Sequence, residues 1–172
     1  MKTKLILLVL LFSSLLAHAQ SDLRQTLLTQ LKSTHNVKDW FVPVNVALEG
    51  LTASQAAWKD KGNHSCGQLA YHLLFWNERQ LNNYRGTANA KFSGNNEETF
   101  NNFNEKQWAD IVKRLDQVMT DIEKWVETAS PEQLAQHAGT LANISTHNAY
   151  HTGQIISVRK AQGSWDPEKG VK

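Results

Sequence analysis

A single cysteine, Cys66, rules out an intramolecular disulfide framework and a cysteine-rich zinc module. Charge of one sign is also scarce: 18 Lys+Arg stand against 16 Asp+Glu with no basic run, so the electrostatic footprint of a nucleic-acid binder is missing. Three prolines and the lack of alternating Val/Ile runs leave little room for a sheet. The longest apolar stretch, Leu5 to Leu16, is 12 residues long and interrupted by Ser13-Ser14, well short of the roughly 20 that span a bilayer. A stable membrane anchor is therefore not expected. A chain of 172 residues so constrained reads as one helical domain.

The same stretch has another use. Met1-Lys2-Thr3-Lys4 is a basic start, the apolar run follows, and Ala17-His18-Ala19 is a small-x-small site; together they predict an export signal over residues 1–19, cleaved after Ala19. Cleavage would remove Lys2 and Lys4 but no acidic residue, leaving residues 20–172 formally neutral. A periplasmic or secreted location follows as an expectation.

Four amphipathic segments organise the remainder. From Ser21 to Leu48, apolar residues including Leu27, Leu31, Trp40, Phe41 and Val44 recur at threes and fours, predicting a first helix kinked or broken near Pro43. Thr52 or Ser54 is placed to cap a short turn through Trp58. Ser65-Cys66-Gly67-Gln68 is a capping box that opens a second helix ending near Gly86. Residues 87–103 are Asn-rich and aperiodic, a connection of a length that is often functional. Asn104-Glu105-Lys106-Gln107 is a second capping pattern, opening a third helix with a regular stripe from Trp108 through Ile111, Leu115, Val118 and Ile122 to Val126. Ser130-Pro131 starts a short helical turn, and a fourth long helix is expected from Leu141 to Ala161. The fold class is all-α, a four-helix bundle with a long loop between helices 2 and 3.

The inward stripe of the fourth helix runs Ile144, His147, His151, Gln154 or Ile155, Val158, so two imidazoles occupy core positions. Residues four apart share a helix face about 6 Å apart along the axis, close enough to converge on one ion. On the second helix His72 neighbours Leu69, Leu73 and Trp76. Three neutral imidazoles from two facing helices suit a divalent zinc, nickel or iron ion with an open position. The alternative is a neutral, hydrogen-bonded histidine cluster in the core. His147-Asn148-Ala149-Tyr150-His151 has no glutamate after His147, unlike the H-E-x-x-H of zinc proteases, so a general base must come from elsewhere or the ion must activate water itself.

His147-Asn148-Ala149-Tyr150-His151-Thr152-Gly153-Gln154-Ile155 resembles the H-x-x-Y-H-x-G-Q-I segment of the DinB-like superfamily. Gly62-Asn63-His64-Ser65, followed by Leu69-Ala70-Tyr71-His72-Leu73 and Trp76, is similar to its other block, and Trp58 lies in a further matching segment. The resemblance implies an up-down-down-up bundle holding a divalent metal through His72, His147 and His151. Relatives of this kind include metal-dependent transferases and isomerases that use low-molecular-weight thiols. Export would separate this chain from cytosolic thiols, so the expected activity is hydrolysis or group transfer on an unidentified small molecule. The competing expectation is a non-catalytic extracytoplasmic protein with a structural or vestigial metal; a homodimer is compatible with either.

Several further residues have two readings. Gln154 is placed to orient a ligand or to lie on the surface, and Tyr150 to pack against the third helix or to face the cavity. Gly153 suggests close approach of another helix. His64 sits either at the cavity mouth or in a plain loop, and His35 reads as a satisfied core or boundary histidine. Glu78 is expected at the surface. Cys66 is expected to be a small buried residue, with the helix dipole favouring its thiolate somewhat. Phe92, Phe100 and Phe103 either form a lid or pin the long loop.

Overall fold

The computed structural model describes residues 22–101 and 103–171; the expected export segment lies outside them. Helix α1 covers 22–35 of the described residues. Two short helices follow, α2 (Val44–Leu48) and α3 (Ala53–Ala57), and then the long helix α4 (Cys66–Arg85). A four-residue helix, α5 (Glu98–Asn101), interrupts the long connection, and a 3-10 turn at Glu105–Gln107 leads into α6 (Trp108–Thr128). The last long helix is α7 (Pro131–Gln162). No strand occurs among the described residues, and no helix there is long and apolar enough to cross a membrane.

Local chemistry explains most boundaries. Thr52, Ser65 and Ser130 each close a capping box with the glutamine three residues on, so hydroxyl and amide satisfy each other's orphaned backbone amides. Gly86 and Gly163 end α4 and α7 in the left-handed conformation, which a residue without Cβ adopts at no steric cost. Asn104 breaks the pattern. It makes no side-chain cap, because its amide donates to the Gln107 side chain (2.7 Å) instead.

Two helix boundaries differ from the sequence expectation. The first helix stops at residue 35, where the amides of Asn36 and Val37 both reach the Lys32 carbonyl (3.0 and 2.9 Å). Trp40, part of the expected stripe, is 90% exposed, so its spacing was coincidental, and Pro43 serves as the extended N-cap of α2. The turn at Pro131 and the fourth helix are one continuous rod of 32 residues, about 48 Å long at 1.5 Å per residue.

The pairing of the long helices gives their directions. Arg24 and His35 of α1 reach Glu127 and Asp116 of α6, so these two run antiparallel. Glu78 and Arg85 of α4 reach Arg114 and Asp121 of α6, which makes this pair parallel. Cys66 and Asn77 of α4 meet Ile155 and Asn148 of α7, an antiparallel pair. The bundle is therefore up-down-down-up. Two consecutive long helices that run the same way need a connection returning the length of α4, about 30 Å. The Asn-rich segment provides it, running back along α4 with Phe92 against Phe75 and Trp76 and with Phe103 over Gly67.

The core is lined by Leu69, Leu73, Ile111, Leu115, Ile122, Leu141 and Ile155, each nearly or fully excluded from solvent; full burial of such a side chain contributes about 1.5–3 kcal/mol. A buried amide pair interrupts it. Asn77 donates to the Asn148 oxygen (2.8 Å) and Asn148 returns a bond of 3.2 Å. Asn77 Nδ2 also donates to the Leu73 carbonyl (2.8 Å), but its oxygen and the whole Asn148 amide are satisfied only by the pair, which therefore favours one register of α4 against α7. Neither asparagine stood out in the sequence.

Candidate metal centre

That register brings together the three histidines of the inward stripes. One ring nitrogen from each of His72, His147 and His151 lies within 4.8 Å of the others, the one group of three or more such ligands found among the described residues. The His72 and His147 Nε2 atoms are 3.0 Å apart. His72 and His151 are buried and His147 half-buried. Burial lowers the pKa of His72 to about 3, with the neighbouring histidines His151, His147 and His64 adding to it, and lowers that of His147 to about 4 with help from His151. His151 is also lowered by burial, partly opposed by its bond to Gln154. The cluster is thus neutral at physiological pH, the state in which imidazole offers a lone pair.

Hydrogen bonds decide which nitrogens carry those lone pairs. The Thr99 hydroxyl donates to the Asn96 carbonyl (2.6 Å), so it can only accept from His72 Nδ1, 2.5 Å away. The Gln154 Oε1 atom likewise accepts from His151 Nδ1 (2.6 Å), while its amide donates to the Tyr150 hydroxyl (3.3 Å). Both histidines are therefore protonated at Nδ1 and present a bare Nε2, the arrangement that partners around metal-bound histidines normally impose. His147 Nδ1 is buried without a partner. Three neutral nitrogens of this donor type, two with the lone pair already selected, fit a divalent ion of the zinc, nickel or iron class.

All three histidines line a cavity of about 630 Å³, walled further by Trp76, Gln80, Thr140, Asn143, Ile144 and Tyr150. Among the described residues no carboxylate lines it. Glu78 is turned away and bound to Arg114 (2.6 Å). Phe100, which does not line this cavity, lies between two histidines, stacked on His72 at 4.0 Å and on His64 at 3.9 Å, with both ring pairs nearly parallel. His64 also borders a second hollow of about 200 Å³ beside Gln154 and Ser157.

The remaining sequence candidates fall into place around this centre. Tyr150 is 64% exposed at the cavity rim and does not pack against α6. Gly153 is exposed, with open space where a side chain would be, so no helix approaches it; the close approach occurs at Gly67, where a Cβ would collide with the Phe103 ring. Burial pushes the Cys66 thiol up to about 12, outweighing the stabilising charge of Arg159, and the helix dipole does not make this cysteine reactive. His35 is far from the cluster, bridging Glu123 and Asp116. Thr99 was missed, because nothing in an aperiodic run tells which hydroxyl will meet His72.

No curated protein and no solved structure matches the chain. The family model of the DinB superfamily matches residues 44–156, a stretch that contains all three histidines, and the chain belongs to that superfamily.

Proposed function

We propose that the chain is an exported metalloprotein in which His72, His147 and His151 hold one divalent ion, and that it acts on a small molecule admitted through the 630 Å³ cavity. The observation that carries this reading is a ligand set of three neutral imidazoles on the wall of an open cavity, with no fourth protein ligand beside them among the described residues. Structural zinc sites close a shell of four protein ligands, whereas sites that bind substrate keep a position free. The ion would supply Lewis acidity, polarising a substrate group or lowering the pKa of water for hydrolysis or group transfer.

The protein's own residues perform the remaining tasks. Thr99 and Gln154 hold two of the imidazoles in the ligating tautomer. Trp76, Ile144 and Tyr150 offer apolar surface, and Gln80 and Asn143 offer amide hydrogen bonds without net charge. The lack of a carboxylate in the cavity wall favours a second reading, capture of a small ligand without turnover, since no side-chain carboxylate is available there as general base.

Metal analysis of the purified protein and of a variant carrying His147→Ala and His151→Ala tests the site. About one equivalent of ion per chain is expected in the first and a near-zero content in the second. A negligible content in both, after incubation with zinc, nickel and ferrous iron, would sink the proposal.

A further inference from the structure

The connection between α4 and α6 does more than span a distance. Its residues 93–98 are exposed, and among the described residues between Phe92 and Phe103 only Thr99 and Phe100 are buried, at 1% and 4% exposure. Both rest on the same imidazole. Thr99 accepts the Nδ1 proton of His72, and Phe100 stacks on the face of that ring with His64 on its other side.

We infer that α5 is a latch on the metal centre: Thr99 is a positioning residue for the ligand His72, Phe100 covers that ligand, and metal binding and docking of α5 strengthen each other. The inference rests on the metal-site reading above. Its physical basis is the proton inventory of the contact. Because the Thr99 hydroxyl spends its proton on the Asn96 carbonyl, it accepts only from a His72 tautomer that is bare at Nε2, the nitrogen facing His147. An undocked α5 leaves His72 free to rotate and to protonate at either nitrogen, and part of the population then cannot ligate. Coupling between two binding events is reciprocal, so an ion that selects this tautomer must favour the docked α5 by the same factor.

Zinc affinity and protease resistance test this in the full-length protein. Loss of an outer hydrogen-bond partner of a ligating histidine typically lowers metal affinity about 10–100-fold, and a loss in that range is expected for Thr99→Val. Thr99→Ser, which keeps the hydroxyl, should retain near wild-type affinity. In wild type, zinc should slow cleavage after Glu97 and Glu98 by a glutamyl endopeptidase, because α5 must open locally to be cut; in Thr99→Val that protection should be much smaller. Equal zinc affinity in wild type and Thr99→Val overturns the latch, as does cleavage of wild type that is indifferent to zinc. A Thr99→Ser variant as weak as Thr99→Val also overturns it, since the hydroxyl would then not be the operative group. In those three outcomes wild type still binds zinc and the three-histidine site stands; failure of wild type to bind zinc removes both proposals.

Discussion

At the end of α1 the His35 ring is 1% exposed and lies between two carboxylates of α6, with Nδ1 2.7 Å from Glu123 Oε1 and Nε2 3.0 Å from Asp116 Oδ1. Burial alone would lower its pKa, but the hydrogen bonds and charges of Glu123 and Asp116 outweigh that cost and raise it above 6.5. A folded-state pKa above the unfolded value means that the imidazolium is better held in the native state. Its contribution to stability is therefore complete below about pH 6.5 and is lost as pH rises through the raised folded value. Urea denaturation of wild type and His35→Gln at intervals from pH 5.5 to 9 reads this directly. The stability difference between the two should be largest at the acid end and shrink towards pH 9; a difference that is flat or grows with pH would contradict the assignment. The expectation of a satisfied core or boundary histidine at His35 holds on its core side, because its spacing from Leu27 and Leu31 is a local property. Its partners, some eighty residues further along, could not be read from the chain.

Among the elements, α7 departs from the expectation of a short turn at Pro131 followed by a separate helix from Leu141, and Gly139 lies where the two were expected to part. The helix continues because the turns on either side are tied down, by the Ser130 capping box at its start and by Leu141 and Ile144 in the core. Gly139 is exposed, with nothing within 4 Å of where a Cβ would stand. Gly139→Ala should accordingly stabilise the protein by about 0.5–1 kcal/mol, the usual gain on replacing glycine inside an exposed helix. Chemical denaturation would show it, and an unchanged or lower stability would mean that the helix is not continuous there. The capping box at Ser65 and the serine cap at Ser130 were legible because a cap involves residues three apart, whereas the choice between Thr52 and Ser54 fell to Thr52 only in the structure. The same logic misplaced a cap at Asn104, where the two side chains prefer each other.

For the molecule as a whole, the parallel arrangement of α4 and α6 forces the long crossover, and the crossover in turn reaches the histidine cluster. Metal binding should then act on global stability. At a free zinc concentration a hundredfold above Kd, binding to the native state alone contributes about 2.7 kcal/mol, which for a domain of this size is a rise in Tm on the order of 5–10 °C. The shift should vanish on adding a chelator and be missing in the variant with His147→Ala and His151→Ala. A thermal scan in which wild type and variant respond equally to zinc would place the bound ion elsewhere.

Helical class, the positions of α4, α6 and most of α7, and two histidines on one face of α7 all followed from periods of three and four residues, because the α-helix converts short sequence spacing into spatial proximity. Contacts between elements have no such rule. The Asn77–Asn148 pair, the meeting of His72 with His147 and His151, and above all the return of the crossover that sets Thr99 and Phe100 on His72 depend on how the helices dock. Only in the packed bundle does a threonine from an aperiodic loop meet a distant histidine and accept the proton of one of its ring nitrogens.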